Sequence, residues 1–250
     1  MAGGFGGQLY HTVMHTALEH AIVVIERESP ESLDADALQV VDRIWDDART
    51  ARPSLVDGSI FSVTRIDLPA IEGAFVPYRW FFAQHEMPDL HDRLHVAPLA
   101  VTARVMTADG YWVLGLRSRH TTQDRGLWEF VPAGGVDPTA RGSTGAVDPE
   151  VAVRHELGEE LAIGADAVIH LRGVGVVTDP TSHVVDVVFD VTVAHTALDL
   201  ERRLSAEPGS EHDAFRCLRP ADVRATLGPN SLAPVTREIL DLPVGTGDAR

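Results

Sequence analysis

The order of predicted elements gives an α/β fold. A layered core of strands and helices occupies about residues 95–227; a smaller α+β region over 1–94 precedes it, and a C-terminal helix and tail over 228–250 follow. Three observations carry this reading. Apolar β-type runs at Val96–Thr107 and Tyr111–Arg117 flank Ala108-Asp109-Gly110, a strong hairpin signal. A helical pattern over Glu150–Leu161 stands between strand patterns on either side. A chain of 250 residues, 44% hydrophobic and 23% charged, can bury a sizeable core without cross-links.

The elements follow in order. The first nine residues are glycine-rich. Tyr10–Glu28 carries Val13, Ala17, Ala21 and Val24 on one side at helical spacing and reads as a helix broken by Ser29-Pro30. Leu38, Val41, Ile44, Trp45 and Ala48 mark a second helix, ended by Arg52-Pro53. Ser59–Asp67 and Ala74–Gln84 alternate and are rich in β-branched and aromatic residues, which predicts two strands. Beyond the hairpin, Trp128–Val131 reads as a short strand and Pro132–Pro149 as a Gly/Pro-rich connection. Val168–Val177, Val184–Val193 and Ala214–Leu218 read as strands, and Pro220–Leu227 and Pro234–Leu240 as short helices. Trp45, Trp80 and Trp112 fall inside these patterns and read as core.

Composition excludes several classes of function. With 21 basic against 37 acidic side chains the net charge is -16, a field that repels a nucleic-acid backbone. A phosphate ester would have to be drawn in by local arginines or a divalent cation. The chain contains no lysine, a bias that matches a high-GC bacterial origin. Cys217 is the single cysteine, so there is no internal disulfide and no CxxC metal site, and it reads as a small buried hydrophobe. The longest apolar runs are interrupted by charges, as Asp186 and Asp190 interrupt Val184–Val193, and no signal-peptide pattern opens the chain. The expectation is a cytoplasmic protein without a membrane partner. The pairs His11/His15 and His91/His95 have Zn²⁺-compatible i, i+4 spacing but read as surface histidines.

The informative stretch is GLWEFVPAGGVDP, Gly126 to Pro138, followed by EVAVRHELGEELAI, Glu150 to Ile163. Glu156, Glu159 and Glu160 stand at i, i+3 and i+4 and project from nearly one face of a helix. Val153, Leu157 and Leu161 mark the other face, suited to burial against a sheet. Three converging carboxylates repel one another unless a cation sits among them, and hard oxygen ligands suit Mg²⁺ or Mn²⁺, which also bind phosphate oxygens. Taken alone, such a cluster is more simply a solvated helix face. The segment Pro132-Ala133-Gly134-Gly135 adds to the metal reading, since a bare strand end approaches a ligand closely and offers carbonyl oxygens. A tight turn is the plainer use of the glycine pair.

Together the two segments resemble the Nudix box, the signature of the Nudix hydrolase superfamily: a glycine, five residues, a glutamate, seven residues, then R-E-U-x-E-E-x-G-U with U apolar. Gly135 matches the opening glycine, and Trp128-Glu129-Phe130 with Pro132 match the strand before it. Glu156-Leu157, Glu159-Glu160 and Ile163 match the later positions, and the strand ending at Arg117-Ser118 is also typical. The resemblance covers about residues 95–225. Four positions depart from it. His155 holds the arginine position, with Arg154 one residue early. Ala162 holds the glycine position, with Gly164 just beyond. Gly135 and Glu156 are 21 residues apart where the pattern has 15, through an insertion at Thr139–Asp148. No glutamate stands at the first-Glu position, near which Asp148 and Glu150 are the available acids.

The resemblance implies a Nudix α/β/α sandwich with a mixed sheet. It also implies Mg²⁺, or Mn²⁺, held by Glu156, Glu159, Glu160 and the Gly135 carbonyl, with a water attacking one phosphorus of a diphosphate in line. Glu211, in SEHDAF, fits a further carboxylate from a later loop; a solvated loop glutamate is the equal alternative. Arg117 and Arg119 become candidate phosphate contacts, surface solubility being the duller account of Arg119. Pro53-Ser54-Leu55, Asp57-Gly58, Tyr78-Arg79-Trp80, Ala83 and Leu99-Ala100-Val101 are similar to a branch with a pre-Nudix region associated with UDP-sugar hydrolysis, which ranks nucleotide-sugars first. The expected partner is thus a small nucleoside diphosphate derivative, split into two phosphorylated products; relatives suggest a homodimer. The position of Cys217 speaks against an isopentenyl diphosphate isomerase. Two alternatives stay open: a catalytically weak nucleotide-binding module, motivated by the departures, and a pyrophosphatase for free NTPs. A regulator fused to a DNA-binding segment is excluded by the short, weakly basic stretch after Pro220.

Overall fold

The computed structural model of the chain describes residues 14–28, 35–121, 123–206 and 211–244. Alternating hydrophobicity builds the main sheet. In β5 (Leu99–Met106), Leu99, Val101, Ala103 and Val105 are buried on one face, and Val185, Val187, Phe189 and Val191 repeat the pattern in β10 (Val185–Val193). These two strands are parallel, with Val187 opposite Val101. The other pairings are antiparallel, in the order β1 (Met14–Ala17), β9 (Val168–Thr178), β10, β5, β6 (Trp112–Arg117), β11 (His212–Leu218). Strands β5 and β6 share one register pair, Met106 with Trp112, and then part. Into the gap come β7 (Trp128–Phe130), paired with β6, and β8 (Ala133–Gly135), paired with β5.

Helices cover both faces, giving the predicted α/β/α layering. On one face α4 (Pro149–Leu161) and α5 (Ala197–Ala206) set Val153, Leu157, Leu161, Leu200 and Leu204 against the inward residues of β5 and β10. On the other, α6 (Val223–Leu227) and α7 (Pro234–Ile239) bring Val223 and Ile239 to Leu114, Phe130 and Val188. The N-terminal region has its own sheet, β2 (Val23–Glu26), β4 (Ala70–Pro77), β3 (Ser59–Asp67), with α1 (Ala35–Ala51), α2 (Tyr78–Glu86) and the single turn α3 (His91–Leu94). Trp45 of α1 meets Phe82 of α2 edge-on at 5.5 Å between ring centres. Backbone bonds tie this region to the core: Phe61 N–H donates to the Val136 carbonyl at 2.8 Å and Val63 N–H to that of Ala97 at 2.7 Å. No helix among the described residues is long and apolar enough to cross a membrane.

Two expectations are corrected. The helix expected over Tyr10–Glu28 is absent from its described part, which forms β1 and β2; β1 joins the main sheet against β9. Both segments are four residues long and take their backbone partners from strands far away in sequence, an influence that local spacing does not contain. The strand expected over Ala74–Gln84 ends at Pro77, and Tyr78–Glu86 is helical, with Phe82 and Ala83 buried. Pro77 has no N–H to donate to a ladder and sits as the extended residue that starts the helix. Helix α5 arises where the sequence reading places no element. The remaining predicted strands and helices fall within a few residues of the observed ones, and His11 lies outside the described residues.

One buried cation fastens the end of α7 and the residues just after it to the sheet. Arg104 of β5 is 1% exposed. Its guanidinium donates to Asp190 of β10 at 2.6 and 3.0 Å and to the carbonyls of Ile239, Leu242 and Pro243 at 2.9–3.2 Å, and it lies over the Trp112 ring. Removing one partner of a buried pair typically costs about 3–5 kcal/mol. Arg104→Met should lose that amount in urea unfolding, and a loss under 1 kcal/mol would contradict this role.

Candidate functional site

The site begins with how α4 is fixed. Asp148 caps it, accepting the Glu150 N–H at 2.9 Å, and Pro149 occupies the first turn. Glu150 is exposed, so neither acid near the vacant first-Glu position faces the cleft with a free carboxylate. The helix ends at Ala162 in the left-handed conformation, φ 49°. That explains the glycine of the box pattern, and here an alanine bears the strain. Arg203 of α5 supports this end, donating to the Ala162 carbonyl at 2.5 Å and to that of Leu161 at 3.3 Å. The inserted Thr139–Asp148 segment docks on the N-terminal region through Arg141, which binds Glu26 at 2.6 and 2.9 Å.

So anchored, α4 presents its three glutamates in two settings. Glu156 and Glu159 converge with His155; their ligand atoms lie within 4.8 Å of one another, and His155 Nε2 is 3.5 Å from Glu159 Oε1. Glu160 turns inward, its side chain 12% exposed. One of its oxygens accepts the Ala133 N–H at 3.1 Å; the other, Oε2, is buried with no hydrogen-bond partner. Gly134 permits this arrangement, because a Cβ there would fall into the Glu156 carboxylate. Gly135 lines the same cleft with open space above it.

A second layer stands behind Glu160. His212, at the start of β11, reaches across β6 to Glu129 of β7, with Nε2 2.9 Å from Oε1. The carboxylate only accepts, which places the hydrogen on Nε2. Its Nδ1 faces Glu160 Oε2 at 3.7 Å. Arg117 completes the row, donating to the same Glu129 oxygen at 2.7 Å. Gly115 makes the crossing possible, since a Cβ there would sit 2.5 Å from the His212 ring and 2.8 Å from Val131.

The cleft has a volume of about 1270 Å³ and is lined from both regions of the chain. Tyr78, Phe81 and His85 of α2 face it from the N-terminal side; Thr102, Asp124 and Asp186 line it as well. Asp186 is fully buried, accepts the Thr102 hydroxyl at 2.9 Å, and is pushed up to about 7, first by burial and then by the nearby carboxylates of Glu129, Asp179 and Asp124. Among the residues expected from sequence, Glu156, Glu159, Glu160, Gly135, Arg117 and Glu211 all line the cleft, whereas Arg119 is exposed and does not. Arg117 is already engaged by Glu129. The sequence reading missed Glu129, His212, Gly134 and Asp186. An acid at the centre of the apolar run Trp128-Glu129-Phe130 was the available signal for the first; the others need the pairing of distant strands.

A model of the NUDIX domain matches residues 96–240, more than half of the chain. The chain belongs to the Nudix family. No curated protein matches it by sequence. Among solved structures it is similar to the DR0079 protein of Deinococcus radiodurans (17% identity, 57% of this chain and 80% of that one, TM-score 0.43). It is also similar to a MutT protein of Methanosarcina mazei (19% identity, 58% and 90%, TM-score 0.41) and a Nudix hydrolase of Nitrosomonas europaea (14% identity, 58% and 86%, TM-score 0.38). Family membership rests on the domain match, and it makes the chain a Nudix-type hydrolase, a class that cleaves pyrophosphate bonds in small nucleotide derivatives and generally uses divalent ions.

The residues fit such an ion. The donors are hard carboxylate oxygens, the glycine at 134 leaves the room a side chain would fill, and Glu160 carries a buried oxygen without a partner. Electrostatics agree. Glu160 is pushed up to about 8, chiefly by burial and further by Glu156, Glu129 and Glu211; Glu156 is pushed up to about 7 by burial and by Glu159. A carboxyl whose folded-state value is raised holds its proton more tightly in the fold. Its contribution to stability is therefore full below the ordinary value of 4.5 and is lost as pH rises toward 8. In chelator-treated protein, Glu160→Gln should melt several degrees above wild type at pH 8, by roughly 2–4 °C per kcal/mol recovered. The gap should close by pH 4.5. A variant that melts lower at pH 8 would contradict the assignment.

Proposed function

We propose that this Nudix-type hydrolase hydrolyses the diphosphate of a nucleoside diphosphate linked to a second moiety, a nucleotide-sugar first among candidates, with Mg²⁺ or Mn²⁺ as cofactor. The observation that carries the proposal is the set of three α4 glutamates beside the Gly134 backbone, one of them with a buried oxygen that has no hydrogen-bond partner. In this reading Glu156, Glu159 and Glu160, with the Gly135 carbonyl, would hold the cation, which when bound would neutralise the diphosphate and make water more acidic. Glu211, exposed at the rim, accepts the proton of the attacking water. Arg117 meets a phosphate oxygen while Glu129 holds it in place and His212 stands between Glu129 and Glu160.

Two features favour a two-part substrate. The cleft is larger than the ~300–1,000 Å³ usual for a small ligand. Its lining is rich in acceptors, with Thr102, Asp124, Asp186 and Ser182 among them, which suits a moiety that offers many hydroxyl donors. Ala162 keeps the helix end that the box glycine would form, so the departure there leaves the glutamates in place.

The test is phosphate release, coupled through a phosphatase, from UDP-, ADP- and GDP-sugars, dinucleotides and free NTPs, with Mg²⁺ or Mn²⁺. One nucleotide-sugar group should be cleaved selectively, and Glu160→Gln should lower the rate at least ~100-fold. Full activity of that variant, or preference for free NTPs, would overturn the reading.

A further inference from the structure

Position 155 separates this site from the family's box pattern, which has an arginine there. A guanidinium has no lone pair and stays charged, so an arginine can orient carboxylates but cannot bind a cation, and it adds a positive charge beside one. Histidine reverses both properties. Neutral imidazole offers a nitrogen lone pair and carries no opposing charge. The structure puts that nitrogen at the ion site: His155 Nε2 lies 3.5 Å from Glu159 Oε1, and the ligand atoms of His155, Glu156 and Glu159 are grouped within 4.8 Å. Two ligands each about 2.0–2.2 Å from a common ion stand roughly 3–3.5 Å apart, so the first pair has ligand spacing before any ion is added. Among the described residues this is the one such group of histidine, cysteine and acidic side chains. The side chains of His155 and Glu159 are about half exposed, at 52% and 63%, which leaves room for small rotations.

We propose that His155 is a metal ligand and that it shifts the site's preference from Mg²⁺ toward first-row transition ions that accept nitrogen. This rests on the reading that the α4 carboxylates hold a divalent cation, and extends it to the ion's identity. Mg²⁺ demands oxygen ligands in near-octahedral geometry and gains little from an imidazole. Co²⁺ and the later ions gain affinity from nitrogen along the Irving–Williams order. The alternative is a surface i, i+4 pair that contributes only a few tenths of a kcal/mol to the helix.

Binding to the metal-free full chain separates these cases. Calorimetry with Co²⁺ and with Mg²⁺ gives an affinity ratio, and pulsed EPR of the Mn²⁺-loaded protein reports ¹⁴N in the coordination sphere. Wild type is compared with His155→Gln and His155→Arg, each checked for native circular dichroism, and with Glu160→Gln as the carboxylate control. The expected result is a ¹⁴N signal lost in both His155 variants. The Co²⁺/Mg²⁺ ratio should also fall at least ~tenfold in His155→Gln, the order seen when a ligand loses its supporting partner. Binding with no nitrogen signal and an unchanged ratio would overturn the role of His155 while leaving the carboxylate site intact. Absence of binding, or binding indifferent to Glu160→Gln, would overturn both.

Discussion

Beyond their single shared pair at Met106 and Trp112, β5 and β6 part, and the site depends on how that gap is closed. Unpaired strand edges inside a core are too costly to persist, so the segment from Trp128 to Gly135 pairs with both edges, β7 on one and β8 on the other. The same filling delivers the chemistry. Glu129 arrives on β7 beneath His212, and the Gly134 backbone arrives on β8 against Glu156. The Ala133 N–H meets Glu160 as well. Helix α4 is held over the gap by Val153, Leu157 and Leu161, so its glutamates face the backbone that a cation and a diphosphate would share.

Packing this tight concentrates negative charge where solvent cannot screen it. Glu156, Glu160 and Asp186 are all displaced upward toward neutrality, burial being the first cause in each case. Arg117 offsets part of the charge, chiefly through Glu129 and further through Glu211 and Asp124. On a chain of net charge -16, a phosphorylated ligand would need the company of a cation to enter the cleft. The stability of the fold is secured elsewhere, in the apolar layers and in the Arg104 cluster that ties α7 and the residues after it to the sheet.

The helix bearing the glutamates was legible because its signal is local: apolar residues at i, i+4 on one face, acids at i, i+3, i+4 on the other. The glycine pair before it was legible as a close approach, although the structure assigns the tight contact to Gly134 and leaves Gly135 open. What stayed hidden depends on partners remote in sequence. Glu129, Arg117 and His212 meet only because β7, β6 and β11 lie side by side, and Gly115 is the gap between them. The wall supplied by Tyr78, Phe81 and His85 was hidden for a different reason. Their aromatic, β-like composition reads as strand, while Pro77 turns the chain into a helix that sets these side chains along one flank. Residues 14–26 reversed the error, since apolar spacing there mimics a helix in segments that become edge strands.

The proposed divalent cation lies among the carboxylates of α4 that face the Gly134 backbone. Anomalous diffraction at the manganese edge from crystals soaked in Mn²⁺ tests this placement most directly. The expected result is a peak in the cleft with oxygens of Glu156 and Glu160 at about 2.0–2.3 Å. A cleft without a peak at saturating Mn²⁺, or a peak bound only by residues outside α4, would contradict it.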